Sequence, residues 1–183
     1  MDPEPSSLIL LLSTTSSSLV SEIILLIILL ICSALISGAE VAFFSLTRSD
    51  IEHGLEENSK VYHIISRLLE RPKKLLATIL VANNFINIGI VILFAYMGEF
   101  VFYNIEILWV RFIFEVVIVT FLILLLGEII PKIYASRNRK KFAVFMAYPL
   151  KVIDVLFSPL SLPMRHFTIY IHNKTRKLIE FFL

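Results

Sequence analysis

Three long runs of apolar residues constrain this chain more than any other feature of its sequence. They extend over about 19–45, 75–97 and 107–130, and no charged residue lies between Glu22 and Glu40 in the first run. A helix that crosses a bilayer needs about 20 mostly apolar residues. Each run reaches that length, so the sequence predicts an all-α integral membrane fold with three transmembrane helices.

The overall composition excludes several other classes of protein. Hydrophobic residues make up 57% of the 183 and charged residues 17%, against roughly 45–50% and about 25% in soluble domains. The single cysteine, Cys32, excludes an internal disulfide framework and a cysteine zinc cluster. A net charge of +2 does not indicate a nucleic-acid partner. The sequence has no glycine-rich phosphate loop and no nucleophile–base arrangement, so we do not expect an enzyme.

Two further segments are predicted to lie in the membrane interface rather than to cross the membrane. Apolar residues recur at helical spacing over 48–71, which predicts two short amphipathic helices that begin with Ser49 or Asp50 as a cap. Prolines interrupt the apolar segment 142–163, which predicts one or two short helices along the bilayer surface. The side chains expected to hold this second segment in the interface are Phe142, Phe145, Leu156 and Phe157.

The distribution of basic residues predicts the orientation of the chain. Six Lys or Arg lie between the first and second spans, ten follow the third, and the tail 1–18 has none. Positively charged loops stay in the cytoplasm. We therefore expect an external N-terminal tail, a cytoplasmic 48–74 loop and a cytoplasmic C-terminus, in the bacterial inner (plasma) membrane. The transmembrane domain is predicted over 19–165.

Polar groups inside the predicted spans are candidate functional residues, because such groups are costly in a bilayer. In the first span, Ser37 begins the run Ser-Gly-Ala-Glu, with Ser33 one turn earlier on the same face. In the second span, Asn83 and Asn87 are four residues apart, so both amides face one way. The alternative interpretation of these groups is close helix packing and hydrogen bonding between helices.

The third polar group is the run Gly127-Glu-Ile-Ile-Pro-Lys132 at the end of the third span. Pro131 has no N–H, so it cannot donate a helical hydrogen bond to the carbonyl of Gly127. A carbonyl without that partner, beside the Glu128 carboxylate, is typical of a corner that binds a hard cation. The alternative is a plain helix end at the inner surface.

Taken together, the three groups offer only oxygen ligands. Hydroxyls, amide oxygens, a backbone carbonyl and one carboxylate favour Mg²⁺ or Ca²⁺, with Na⁺ as a further candidate, over zinc or copper. A single carboxylate neutralises the ion only in part, which favours release. The residues therefore predict a weak cation site.

The same three runs resemble the transmembrane domain of the cyclin M/CorC magnesium transporters. The runs that carry this likeness are Ser37-Gly-Ala-Glu-Val-Ala-Phe-Phe-Ser-Leu-Thr-Arg48, Leu80-Val-Ala-Asn-Asn-Phe-Ile-Asn-Ile88 and Gly127-Glu-Ile-Ile-Pro-Lys132. Their order and spacing agree with the family over about 20–165. The acidic, proline-containing start is also similar to a CorC-like branch associated with gliding motility.

The resemblance implies a homodimer with three spans per subunit, which binds Mg²⁺ in an inward-facing cavity and exports it, with Na⁺ as the candidate counter-ion. It implies that cytoplasmic CBS-type regulatory domains follow 166–183, a cytoplasmic juxtamembrane segment. The metal ligands it implies are Ser37, Asn83, Asn87, the Gly127 carbonyl, Ser45 and Glu128. Two alternatives to transport stay open at this point: a membrane anchor or scaffold, and a cation sensor that does not transport.

Overall fold

A computed structural model describes residues 5–57, 59–105 and 107–157, including side chains except those of 5–18 and Glu99. Within these ranges the chain is helical and contains no strand, which confirms the predicted fold class. The elements are α1 (Pro5–Phe44), α2 (Arg48–Glu56), α3 (Lys60–Leu69), α4 (Pro72–Val101), α5 (Leu108–Leu122), a π-helical segment (Ile123–Ile129), α6 (Ile130–Arg137) and α7 (Arg139–Leu156).

Three helical stretches are long and apolar enough to cross a membrane, as predicted: Leu19–Phe44, Pro72–Gly98 and Leu108–Arg137. The third stretch continues past its predicted end near Ile130, because the chain stays helical through α6. Pro131 is the second residue of α6, and proline is tolerated in the first turn of a helix. Helix α1 also begins earlier than the first predicted span, at Pro5.

The chain forms two compact units, each built from two separate parts of the sequence. Among the described residues, the first contains those up to Gly38 and those of 83–137, and the second contains those of 39–82 and those from Asn138 onwards.

In the first unit, α1 and the third stretch both run antiparallel to α4. Ser33 contacts Asn87, and Gly89 faces Leu29, so positions rise along α4 as they fall along α1. Asn87 contacts Glu128 and Gly98 faces Glu115, so positions along the third stretch also fall as those along α4 rise. The three spans therefore align Ser33, Asn87 and Glu128 at one level of the unit.

In the second unit, α7 packs against α3 through small and apolar side chains. The buried residues of these two helices are Ile65, Leu68, Ala143, Met146, Ala147 and Leu150. Helix α7 continues through Pro149 to Leu156, so the proline does not divide it. The rest of the predicted interfacial segment, 158–163, and the predicted juxtamembrane segment 166–183 lie outside the described residues.

The two predicted helices of 48–71 are α2 and α3, but the cap of α2 is neither Ser49 nor Asp50. Thr47 is the N-cap: its hydroxyl accepts a hydrogen bond from the Asp50 N–H at 3.2 Å. The Asp50 carboxylate accepts one from the Thr47 N–H at 3.1 Å, which completes a capping box. Asp50 is thus the third residue of α2, and its carboxylate accepts the second hydrogen bond of the capping box.

Candidate cation site

The site begins with a change of helical geometry in the third span. Over Ile123–Ile129 the helix is π-helical, and the N–H of Ile130 donates to the carbonyl of Leu125, five residues back. A π segment inserts one extra residue relative to an α-helix, and such segments are frequent at functional sites. Gly127 is buried within it, beside Glu128.

Four side-chain oxygens converge next to this π segment. Ser33 Oγ lies 2.8 Å from Asn87 Oδ1 and 3.2 Å from Asn83 Oδ1. Asn87 Nδ2 donates to Glu128 Oε1 at 3.4 Å. We call Ser33 Oγ, the two Asn Oδ1 atoms and the Glu128 carboxylate the oxygen cluster. All three spans contribute to it.

Gly127 is what allows the third span to approach Ser33. A Cβ built at Gly127 would lie 2.9 Å from Ser33 Oγ and 3.5 Å from Ser33 Cβ. The first of these distances is too short for ordinary contact, so any larger residue would displace the Ser33 hydroxyl. The small residue therefore sets the distance between the π segment and α1.

The two separations between Ser33 Oγ and the amide oxygens suit an octahedral ion. Mg²⁺ takes oxygen ligands at about 2.0–2.1 Å in near-octahedral geometry, so adjacent ligand atoms are about 3.0 Å apart. The two Ser33-to-Asn separations, 2.8 and 3.2 Å, lie on either side of that value. An entering cation would bind the amide oxygen lone pairs that now accept a hydrogen bond from Ser33. The Ser33 hydroxyl proton would then turn away from the ion.

The charge on the cluster is low. Glu128 is its only carboxylate, and the other three oxygens belong to neutral groups. Among the described residues, no group of three or more His, Cys, Asp or Glu side chains could hold a metal ion elsewhere. The cluster is suited to a hard cation that is held loosely.

Ser37, a predicted ligand, and Asn84, which adjoins one, differ in their surroundings. Ser37 is buried, and its Oγ has no hydrogen-bond partner among the described residues. A buried hydroxyl without a partner costs free energy and is available to a ligand. Asn84, in contrast, is exposed, so the cluster uses only the amides at 83 and 87.

The structure brings Asn83, Asn87, Gly127 and Glu128 together in the first unit, as the motif spacing leads us to expect. Ser45 follows the end of α1 in the second unit, and its assignment as a ligand stays a prediction. So does the assignment of the Gly127 carbonyl. Ser33, which is not among the predicted ligands, contacts both amides. Its position one turn before Ser37 on the same helix face makes it a candidate, but this signal does not select Ser33 over Ser37.

The second unit carries charged contacts of its own. Lys140 Nζ lies 2.8 Å from Asp50 Oδ1, and Arg139 Nε lies 3.3 Å from Asp50 Oδ2. The hydrogen bonds from Lys140 and from the Thr47 N–H hold the pKa of Asp50 well below its usual range. This carboxylate therefore joins the starts of α2 and α7.

Asp154, on α7, holds the beginning of α4 in the same unit. Its Oδ2 lies 2.7 Å from Lys74 Nζ, and its Oδ1 accepts a hydrogen bond from Thr78 Oγ1 at 3.2 Å. Lys74 and Thr78 are four residues apart and share a helix face. The interaction therefore fixes α7 to one face of α4.

Comparison with known proteins gives one family and several relatives. The profile of the cyclin M transmembrane N-terminal domain matches residues 24–178. A UPF0053 protein of Haemophilus influenzae is 30% identical over 138 residues, and the UPF0053 inner membrane protein YfjD of Escherichia coli is 27% identical over 128. A Caenorhabditis elegans protein named metal transporter cnnm-4 is 30% identical over 137.

These matches cover most of this chain but less than a third of each relative. They extend over 70–75% of this chain and over 28–32% of the three relatives. The similarity therefore concerns the membrane-spanning part that holds the oxygen cluster.

Proposed function

We propose that this chain, which belongs to the cyclin M transmembrane N-terminal domain family, carries Mg²⁺ across the membrane. The observation that carries the proposal is the oxygen cluster, in which Ser33 Oγ lies 2.8 and 3.2 Å from two amide oxygens and the Glu128 carboxylate adjoins Asn87. The relative named a metal transporter supports it. In this proposal the ion is cargo and the protein catalyses no covalent reaction.

The chemistry of the cluster supports Mg²⁺ over softer ions. Amide, hydroxyl and carboxylate oxygens suit hard cations, and the cluster offers no thiolate or imidazole. Ser37 Oγ is a further oxygen on the same helix, buried one turn from Ser33 and without a hydrogen-bond partner in the part of the chain that the structure describes. Partial neutralisation by a single carboxylate allows the ion to leave again.

Direction, coupling and assembly are finer parts of the proposal. We propose that the chain exports Mg²⁺ from the cytoplasm of a bacterial cell in exchange for Na⁺, as a homodimer in the plasma membrane. We further propose that cytoplasmic CBS-type domains regulate it in the full-length protein and that it has no nucleic-acid partner. The support for these parts is the family membership and the distribution of basic residues.

The test is ion flux in proteoliposomes with a matched pair of asparagine variants. Asn87→Ala removes an amide oxygen of the cluster, and we expect Mg²⁺ flux to fall at least about tenfold, the effect of about 1.4 kcal/mol. Asn84→Ala changes the same residue type at an exposed position of the same helix and should leave the flux unchanged. Parallel assays with Ca²⁺, and with an imposed Na⁺ gradient, test selectivity and coupling.

A second measurement separates binding from hydrogen bonding between helices. Mg²⁺ should raise the thermal unfolding temperature of the purified protein, and Asn87→Ala should remove that increase. If Asn87→Ala lowers the unfolding temperature without Mg²⁺ but keeps the full response to the ion, the amides only hold helices together. If Mg²⁺ binds without flux, the chain is a sensor.

A further inference from the structure

The first unit contains a second polar arrangement, at the end remote from the oxygen cluster. Arg111 Nε donates to Glu115 Oε1 at 2.7 Å, one turn along the start of α5. The two side chains are only 21% and 12% exposed. Ionised groups within a span are costly, so a pair held this closely at the start of a span calls for a function.

The carboxyl group of this pair packs against Gly98 on α4. A Cβ built at Gly98 would overlap the Glu115 carboxyl group, with both Oε1 and Cδ inside contact distance. The carboxylate therefore lies directly against the backbone of α4. We call Gly98, Arg111 and Glu115 the Gly98 clasp.

Helix register places the clasp at a defined distance from the oxygen cluster. Gly98 is eleven residues beyond Asn87 on α4, which at 1.5 Å per residue is about 16 Å. Glu115 precedes Glu128 on the antiparallel third span. The clasp and the cluster thus occupy opposite ends of one three-helix unit.

A further carboxylate lies at the level of the clasp. Ser33 is level with Asn87 and Leu29 with Gly89, so the same antiparallel register places Glu22 of α1 level with Gly98. Glu22 Oε2 is buried without a hydrogen-bond partner among the described residues. This end of the unit therefore combines two carboxylates with one guanidinium.

We infer that the Gly98 clasp closes the ion route at the end of the unit remote from the oxygen cluster. In the closed form the Arg111 guanidinium occupies the Glu115 carboxylate in place of the transported cation. While Arg111 pairs with Glu115, the Glu115 carboxylate is neutralised and lies against the α4 backbone at Gly98. When Arg111 leaves, the closure is released and Glu115 presents a negative charge to the transported cation. The inference rests on the proposed function, because it requires a route for a cation through the first unit.

The test measures access to a position just inside the clasp. Val119 is buried on the same face of α5, one turn from Glu115. In a Cys32→Ala background, Val119→Cys is probed with a membrane-impermeant thiol reagent on intact cells. Tyr103→Cys, an exposed position in the loop before α5, shows on which side that loop lies and serves as the accessible reference.

We expect slow labelling of Val119→Cys from the loop side, and labelling that is about tenfold faster after Arg111→Gln, because one partner of a buried pair is lost. Gly98→Ala should act in the same direction by displacing the carboxyl group, without any change of charge. The exchanged pair, Arg111→Glu with Glu115→Arg, should restore slow labelling. The matched control is Arg137→Gln, an exposed arginine of the same span, which should have no effect.

Unchanged labelling in both Arg111→Gln and Gly98→Ala would overturn the closure, provided that both variants keep the parent's detergent elution profile. If one of them does not fold, the other decides alone. Faster labelling without any Mg²⁺ flux in the parent would support the closure and refute the proposed cargo. Mg²⁺ flux with unchanged labelling would refute the closure alone.

Discussion

Two glycines of the first unit face side chains of α1 at very different distances. A Cβ at Gly127 would lie 2.9 Å from Ser33 Oγ, whereas a Cβ at Gly89 would lie 3.8 Å from Leu29 Cδ1, which is ordinary contact. We expect Gly127→Ala to lower the free energy of unfolding by about 1–3 kcal/mol, the usual cost of overpacking. The Ser33 hydroxyl must also rotate away from both amides, so the Mg²⁺-dependent stabilisation should disappear.

Gly89→Ala is the matched control for that variant. Alanine is a better helix former than glycine by about 1 kcal/mol, and the space beside Gly89 accepts a methyl group. The unfolding temperature should stay the same or rise, with the response to Mg²⁺ intact. Equal behaviour of the two alanine variants in thermal unfolding would show that close approach at Gly127 is unimportant.

The residue types and their spacing predicted part of the site. The four-residue spacing of Asn83 and Asn87 correctly put both amides on one face, and the exposure of Asn84 follows from the same geometry. The role of Ser33 was not predictable, because helical spacing puts Ser33 and Ser37 on one face without saying which lies level with the amides. That choice depends on the vertical offset of α1 against α4, which packing determines.

Among the elements, the π segment is the one whose geometry the site depends on most. Pro131 lies two residues beyond its end and lacks the N–H that an α-helix would offer to the carbonyl of Gly127. Pro131→Ala restores that donor, and we expect the segment to relax toward α-helix and turn Glu128 away from Asn87. The unfolding temperature without Mg²⁺ should not fall, while the increase caused by Mg²⁺ should shrink.

Pro149→Ala in α7 is the corresponding control. Proline inside a helix costs about 3 kcal/mol, and Pro149 lies inside α7 in the second unit. The variant should be at least as stable as the parent and should respond to Mg²⁺ in full. A loss of response in both proline variants would point to a general effect on folding instead of a local effect on the cluster.

The start of α2 predicts a pH dependence. The pKa of Asp50 is lowered in the fold by Lys140 and by the Thr47 N–H, so the unfolded chain binds the proton more tightly. The stabilisation is complete above pH ~5 and is lost as pH falls below ~4 toward the lowered pKa. The difference in unfolding temperature between the parent and Asp50→Asn should therefore shrink on acidification.

Glu52→Gln provides the reference for this pH series. Glu52 is an exposed carboxylate on the same helix, and its replacement should change the unfolding temperature little at any pH. A parent-to-Asp50→Asn difference that stayed constant from pH 7 to pH 3 would contradict the assignment of the charged contacts at Asp50.

Element types were predictable from the sequence, and their ends were less so. Apolar runs of sufficient length gave the three spans, because the bilayer fixes that length. The third span continues to Arg137 because Pro131 lies in the first turn of α6, where it breaks nothing. The π segment itself was not predicted. Pro131 indicated that the Gly127 carbonyl lacks its helical partner, but not that the hydrogen-bond spacing before it would widen to five residues.

For the molecule as a whole, the distribution of basic residues predicts that the loop before α5 is external and the start of α7 cytoplasmic. In a Cys32→Ala background, an impermeant thiol reagent on intact cells should label Tyr103→Cys and should not label Lys141→Cys until the cells are opened. Both positions are exposed, so the difference reports orientation and not burial. Labelling of Lys141→Cys but not of Tyr103→Cys on intact cells would show the opposite topology and would contradict the proposed direction of export.

The antiparallel pairing of the first two spans also bears on how the chain is made. The third span leaves the ribosome last, so two asparagine amides enter the lipid before Glu128 exists. Ser33, 54 positions before Asn87, is already there, and its one hydroxyl proton can be donated to either amide oxygen. We therefore expect α1 and α4 to enter the membrane as a hairpin whose polar groups already meet, and the last helix to be synthesised to complete the site.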